Sequence, residues 1–386
     1  MTSLMTETVQ DSSDSELPAE VRHRVLDEWA TGVELSDVLG VSGLLRRAYA
    51  VPPMRTAVRC GDERLDYAGL FERLGRRGRT GPAESVEAGL GVLADLAAGD
   101  ADAVCVRVGA ESLAMSTDAV VAAVADRRAI AAERRCDRVD PALGSADVRL
   151  VAGRWGDADV LIELLAALAD GATLVVPTAD QRTDPAVLGG LIAAQAATHV
   201  VASADILRRC REFPATPSVR RWDVLIGDAA ATESEGSALL EGAVSLDDSA
   251  LFEDGEVAGS VCPPGLGDDL GALAPRAVAS LCYRPPEYAG VLARGPLDGT
   301  GRVRPIPGAR VLVLDACGRP VAPGRVGEVY AGGAALAESD VAEEFSGRRV
   351  SDPFPPDGFA GPLVRTGARA RWTAQGWLVL EKEQTE

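Results

Sequence analysis

Apolar residues recur at three- and four-residue intervals along residues 18–50: Val21, Val25, Leu26 and Trp29, then Val38, Leu39, Leu44 and Leu45. That spacing puts them on one face of a helix, so this segment predicts helices that are apolar on one side only. Pro52 and Pro53 end it, because proline has no N–H with which to continue a helix. Val58-Arg59-Cys60, a turn at Gly61-Asp62 and Leu65-Asp66-Tyr67 follow, leading into a predicted helix over 68–74. The pattern then alternates. Helical spacing predicts helices over 85–98, 117–132, 160–169, 185–196 and 204–212. Short apolar runs predict strands over 103–108, 148–152, 173–177, 199–202 and 222–226. Strands separated by helices of this length imply parallel pairing with helices on both faces.

Two later stretches change character. Residues 232–274 carry Glu233, Glu235, Glu241, Asp247, Asp248, Glu253, Asp254, Asp268 and Asp269 among glycines and prolines, which predicts a long acidic loop or a poorly ordered insertion. From residue 302 onward, short runs over 310–314, 327–331, 363–365, 370–373 and 377–380 are joined by Gly and Pro turns and predict a small β-barrel or sandwich. The chain therefore divides into a disordered tail over 1–17, an α/β region over 18–300 (best defined over 50–228) and a β-barrel-like region over 301–386.

Charge narrows the function. Asp and Glu number 58 against 39 Lys and Arg, a formal charge of −19, and Lys382 is the only lysine. So acidic a surface repels phosphate backbones and anionic membranes, which argues against nucleic-acid or lipid-surface binding. The seven cysteines (Cys60, Cys105, Cys136, Cys210, Cys262, Cys282 and Cys317) form no C-x-x-C pair, and His23 and His199 are the only histidines. No zinc-finger spacing can be assembled from them, and scattered thiols fit a reducing cytoplasm. The polar, acidic start lacks the features of a signal peptide, and no apolar run reaches membrane-spanning length.

The motifs that carry a resemblance lie in order along the chain. Arg304-Pro305-Ile306-Pro307-Gly308-Ala309-Arg310-Val311-Leu312-Val313-Leu314-Asp315 precedes Gly324-Arg325-Val326-Gly327-Glu328-Val329-Tyr330-Ala331-Gly332-Gly333. Ser351-Asp352-Pro353-Phe354, Arg365-Thr366-Gly367 and Arg371-Trp372 continue it, and Gly61–Tyr67, Gly171–Val176 and Thr198-His199-Val200 anticipate it upstream. Over about residues 18–380 this resembles the large domain of nonribosomal peptide synthetase adenylation domains, of the acyl-adenylate-forming superfamily. The resemblance implies two α/β subdomains with parallel-rich sheets plus a small β-barrel subdomain, without the C-terminal lid.

The same resemblance shows departures at the places that carry the family's chemistry. Its phosphate-binding loop is rich in Ser, Thr and Gly and ends in Pro-Lys-Gly, so that backbone N–H groups and an ammonium hold the ATP phosphates. Here the strand over 103–108 is followed by Gly109-Ala110-Glu111-Ser112-Leu113-Ala114-Met115, which is short, has no lysine, and places a carboxylate where triphosphate would sit. The family's Tyr-Gly-Pro-Thr-Glu becomes Tyr283-Arg284-Pro285-Pro286-Glu287, so Tyr283 and Glu287 are vestigial candidates for the ATP region. The aspartate after Arg-Thr-Gly, which holds the ribose, is Ala368, and a methyl group accepts no hydrogen bond. The aspartate that meets the substrate's α-ammonium matches Ala158, with Asp157 and Asp159 flanking it as vestigial substrate-binding candidates. The lid lysine has no match before Glu386.

These losses predict a degenerate adenylation-like domain, unable to activate amino acids and acting as a structural or docking module. No catalytic residue, metal site or cofactor is expected, ATP and magnesium being those of the active family. The resemblance implies other synthetase domains (condensation or carrier) as partners, and a small MbtH-like protein docking near Phe345, Ser351 and Phe354. Two alternatives stay open: an impaired amino-acid-adenylating enzyme whose lid is supplied in trans, and a small-molecule sensor using the old cleft.

Overall fold

The computed structural model describes residues 17–35, 38–75, 85–98, 103–108, 111–133, 147–227, 264–337, 348–356 and 361–381. Phe345, Lys382, almost all of the tail over 1–17 and most of the acidic stretch over 232–274 lie outside them. The end of that stretch forms a helix, Leu266–Leu273, rather than a loop.

Sixteen strands are described: β1 (Thr56–Cys60), β2 (Glu63–Asp66), β3 (Ala103–Val108), β4 (Glu111–Ser116), β5 (Val148–Val151), β6 (Thr173–Val175), β7 (His199–Ser203), β8 (Arg221–Ile226), β9 (Val278–Tyr283), β10 (Ala293–Pro296), β11 (Arg302–Pro305), β12 (Ala309–Leu314), β13 (Gly327–Gly333), β14 (Arg349–Ser351), β15 (Pro362–Trp372) and β16 (Leu378–Leu380). Fourteen of them form one mixed sheet, in which β14 pairs with β15 beside the main order β12-β13-β15-β16-β11-β10-β9-β8-β7-β5-β6-β1-β2. The run β1-β6-β5-β7-β8-β9 is parallel throughout, as the alternation of strands and helices predicts. Its strands are covered on both faces: every residue of β6 and β8 is buried, Arg221 and Asp223 among them. The helix Ala158–Asp170 is buried at every position, and Gly171 ends it in the left-handed region at φ 69°, where a Cβ would be strained. No described helix is long and apolar enough to cross a membrane.

The C-terminal strands correct one expectation. No closed barrel forms among the described residues. Instead β10, β11, β16, β15, β13 and β12 continue the large sheet with antiparallel pairing. The physical reason lies at the edge of β12, whose ladder groups are already taken by the N-terminal segment. Val311 N–H donates to the Ala30 carbonyl at 2.7 Å, and Gly32 N–H to the Ala309 carbonyl at 2.9 Å. Gly32 is required here, since an added Cβ would sit 1.8 Å from the Ile306 carbonyl oxygen. Segments 363–365 and 370–373 are one strand, β15, and β9 and β10 were not anticipated.

Charged side chains are buried where the helices meet the sheet. Arg127 reaches Glu163 at 3.1 Å and Asp223 at 3.0 Å, Arg149 reaches Asp170 at 2.6 Å, Arg221 reaches Asp223 at 2.9 Å, and Arg294 reaches Asp126 at 2.8 Å. Burial opposes the charge on Asp223, but Arg221 and Arg127 outweigh it and hold the carboxyl well below the usual range. His199 lies beside this network. Burial and then the positive charge of Arg149 hold its imidazole down to about 4, against an ordinary 6.5. The folded chain therefore binds this proton less readily than the unfolded one. Stability from this group is intact above pH 6.5 and falls as pH drops from there to about 4, by about 2–3 kcal/mol in all. Urea midpoints of the natural chain and of His199→Gln, compared at pH 7.5 and 4.5, should diverge by that amount. Parallel pH curves would remove His199 from the account.

Candidate functional site

Parallel strands of an open α/β sheet place their ligand crevice at the strands' carboxyl ends. Here that end collects the last residue of β9, the first turn of the helix Ala158–Asp170, the loop after β9 and the bend within β15. Tyr283 ends β9 with its ring buried, and its hydroxyl donates to Thr366 Oγ1 at 3.2 Å. Thr366 in turn donates to the Val329 carbonyl at 3.0 Å. Burial raises the Tyr283 phenol well above its usual range, with the Thr366 contact opposing. Gly227, at φ 120°, lets the ends of β8 and β9 meet, because a Cβ there would lie 2.5 Å from the Arg284 carbonyl oxygen.

Both conspicuous carboxylates of this end face guanidinium groups of the chain itself. Glu287 is buried, and its Oε1 lies 3.3 Å from Arg348 Nη1, while its backbone carbonyl accepts from Ala337 N–H at 2.9 Å. Asp159 Oδ2 lies 3.2 Å from Arg284 Nε, with both side chains more than nine-tenths buried. Asp157, by contrast, turns back on its own loop: its Oδ2 accepts from Arg154 N–H at 2.7 Å. Of the two flanking aspartates, the structure thus brings only Asp159 to the crevice with Tyr283 and Glu287. Ala368 follows Thr366 and Gly367, its N–H donating to Thr366 Oγ1 at 3.2 Å. Among the described residues, no group of three or more His, Cys, Asp and Glu side chains is placed to hold a metal ion.

Of the segment read as a shortened loop after the strand over 103–108, residues 111–115 belong to a strand. β3 and β4 pair antiparallel in continuous register from Ala103 opposite Ser116 to Val108 opposite Glu111. Only residues 109 and 110 separate the paired strands. Glu111 is therefore a strand residue, and Ser116 Oγ caps the next helix, Thr117–Glu133, by accepting from Ala119 N–H at 3.0 Å.

Ser351 and Phe354 lie elsewhere, beside the N-terminal segment. Ser351 ends β14 and is exposed, whereas Phe354 is half-buried with the Arg22 guanidinium 5.2 Å above its ring. Sequence reasoning missed Arg284 as the partner of Asp159, although an arginine standing for the motif's glycine was the available signal. It also missed Arg310, a wholly buried arginine inside the apolar run of β12.

The fold matches that of adenylate-forming enzymes. Among solved structures, the nonribosomal peptide synthetase FmoA3 in its AMPPNP-bound form shares the fold at TM-score 0.67 and 17% identity, covering 94% of this chain and 44% of that one. The N-terminal subdomain of Klebsiella oxytoca NpsA, solved with 3-hydroxyanthranilyl-AMSN, shares it at TM-score 0.59 and 13% identity, covering 90% of this chain and 99% of that one. Residues 114–339 match the family described as AMP-binding enzyme, and this chain belongs to that family. Novobiocin biosynthesis protein H of Streptomyces niveus is 34% identical over 56% of this chain and 30% of its own length. Phosphinothricin tripeptide synthetase PhsB of Streptomyces viridochromogenes is 31% identical over 56% of this chain and 16% of its own length. The chain thus spans less than a third of either of these relatives.

Proposed function

We propose that this chain is an adenylation-like domain of nonribosomal peptide biosynthesis that does not activate amino acids and serves as a structural or docking module. The observation that carries this reading is the register of the β3–β4 hairpin. With Val108 paired to Glu111, only two residues separate the strands, too few to wrap a triphosphate with backbone N–H groups. The rest of the crevice fits ATP and magnesium no better. Glu287 is neutralised by Arg348 and Asp159 by Arg284, and Ala368 offers no acceptor for a ribose hydroxyl. Calorimetry with ATP and magnesium should give no binding at tens of micromolar, and pyrophosphate exchange should stay at background with each proteinogenic amino acid. Exchange above background with any of them would overturn the reading.

The relatives are synthetase and antibiotic-biosynthesis proteins, which supports carrier or condensation domains as partners. The docking residues we propose are Ser351 and Phe354, with Phe345, and the partner is an MbtH-like protein or a neighbouring synthetase domain. Failure to co-elute with either in gel filtration, with the protein folded, would leave docking at this surface unsupported.

A further inference from the structure

Asp159 stands in the first turn of a thirteen-residue helix with its side chain 8% exposed. One carboxylate oxygen, Oδ2, meets Arg284. The other, Oδ1, is buried and has no hydrogen-bond partner among the described residues. A desolvated carboxylate oxygen without a donor is costly, and such groups in native proteins mark a strain, a hidden water or a missing ligand. Arg284 is carried on the loop that leaves β9, so its guanidinium reaches Asp159 from across the crevice rather than from the same helix. Arg284 thus stands toward Asp159 as a bound organic cation would.

We propose that Asp159 forms a cation subsite in the crevice that the chain fills with its own Arg284, and that a small external guanidinium takes the place once that side chain is removed. The ligand class follows from the two carboxylate oxygens: a planar cation with parallel N–H donors could satisfy Oδ2 and Oδ1 together, which a spherical or permethylated cation cannot. The inference deepens the non-activating reading, since a crevice already occupied by its own cation is closed to other amines.

Arg284→Ala leaves a bare buried carboxylate and is expected to lower Tm by about 5–10 °C. Ethylguanidinium at ~10 mM should restore at least half of that loss by binding only the folded state. Tetramethylammonium at the same concentration, which has the charge without donors, should not, and this separates binding from ionic screening. In the double variant Arg284→Ala/Asp159→Asn, both the Tm loss and the rescue should largely disappear. An unchanged Tm in Arg284→Ala, or rescue that persists in the double variant, overturns the proposal. If Arg284→Ala does not fold, a folded double variant supports it and an equally unfolded one overturns it. Pyrophosphate exchange by Arg284→Ala is a separate readout: activity there would sink the non-activating reading whatever the rescue shows.

Discussion

Arg310→Ala is expected to cost about 3–5 kcal/mol of stability, and to free the N-terminal segment from the sheet. Arg310 is fully buried, the second residue of β12, and its guanidinium serves two segments remote in sequence. Nη1 donates to the Leu26 carbonyl at 2.9 Å and to Thr31 Oγ1 at 3.0 Å, which holds the N-terminal segment. Nε meets Asp352 Oδ2 at 2.5 Å and Nη2 donates to the Phe354 carbonyl, which holds the segment after β14. Leu26 belongs to a π-helical turn, Arg24–Glu28, in which Trp29 N–H bonds the Arg24 carbonyl. Such a turn shifts the pairing of its carbonyls and leaves room for an outside donor. Alanine would strand the buried Asp352 carboxylate, exposed by only 2%. Arg310→Lys keeps the charge but not the fork of donors, so it should recover only part of the loss. Denaturant titration measures the cost, and limited proteolysis within 17–35 reports release of the segment. A cost under ~1 kcal/mol with the segment still protected would show that Trp29, packed on Trp372 at 6.1 Å, holds it without Arg310.

That clamp also shows what the sequence could and could not disclose. Elements whose faces are buried by simple geometry were legible: the parallel strands read as short, largely apolar runs, and the helices between them by apolar residues at helical spacing. Elements defined by long-range pairing were not. Residues 109–115 read as a shortened loop because they stand where the family's phosphate-binding loop falls, and only pairing with β3 makes 111–116 a strand. The expected barrel failed for a similar reason, because residues 30–32 occupy the edge of β12 and lie nearly 280 positions upstream of it. At the crevice, comparison of motifs located Tyr283, Glu287 and Asp159. It could not reveal that Arg284 and Arg348 neutralise two of them, since both pairs join residues 61 or more positions apart. Charge complementarity between distant positions leaves no periodic trace in one sequence.

Asp223→Asn should be the most damaging single change in the buried charge network. The carboxylate stands between Arg127 at 3.0 Å and Arg221 at 2.9 Å, exposed by only 7%. Neutral asparagine would leave two desolvated guanidinium groups facing each other, a loss of about 3–5 kcal/mol. Arg127→Met should cost less, because Glu163 retains Arg149 at 3.5 Å and Asp223 retains Arg221. In the double variant the excess charge created by Asp223→Asn is halved, so the two costs should fall short of additivity by about 1–3 kcal/mol. The pH dependence follows from the direction of the shift. Because the folded carboxyl is held below its unfolded value, its contribution is present above about pH 4 and is lost only as pH falls toward the lower folded value. The deficit of Asp223→Asn should therefore stay flat from pH 8 to pH 5 and narrow only in stronger acid. Chemical denaturation across that range measures it directly. A deficit already shrinking at pH 6, or a coupling below ~0.5 kcal/mol, would mean that Asp223 is solvated and that its two arginines are satisfied by other groups.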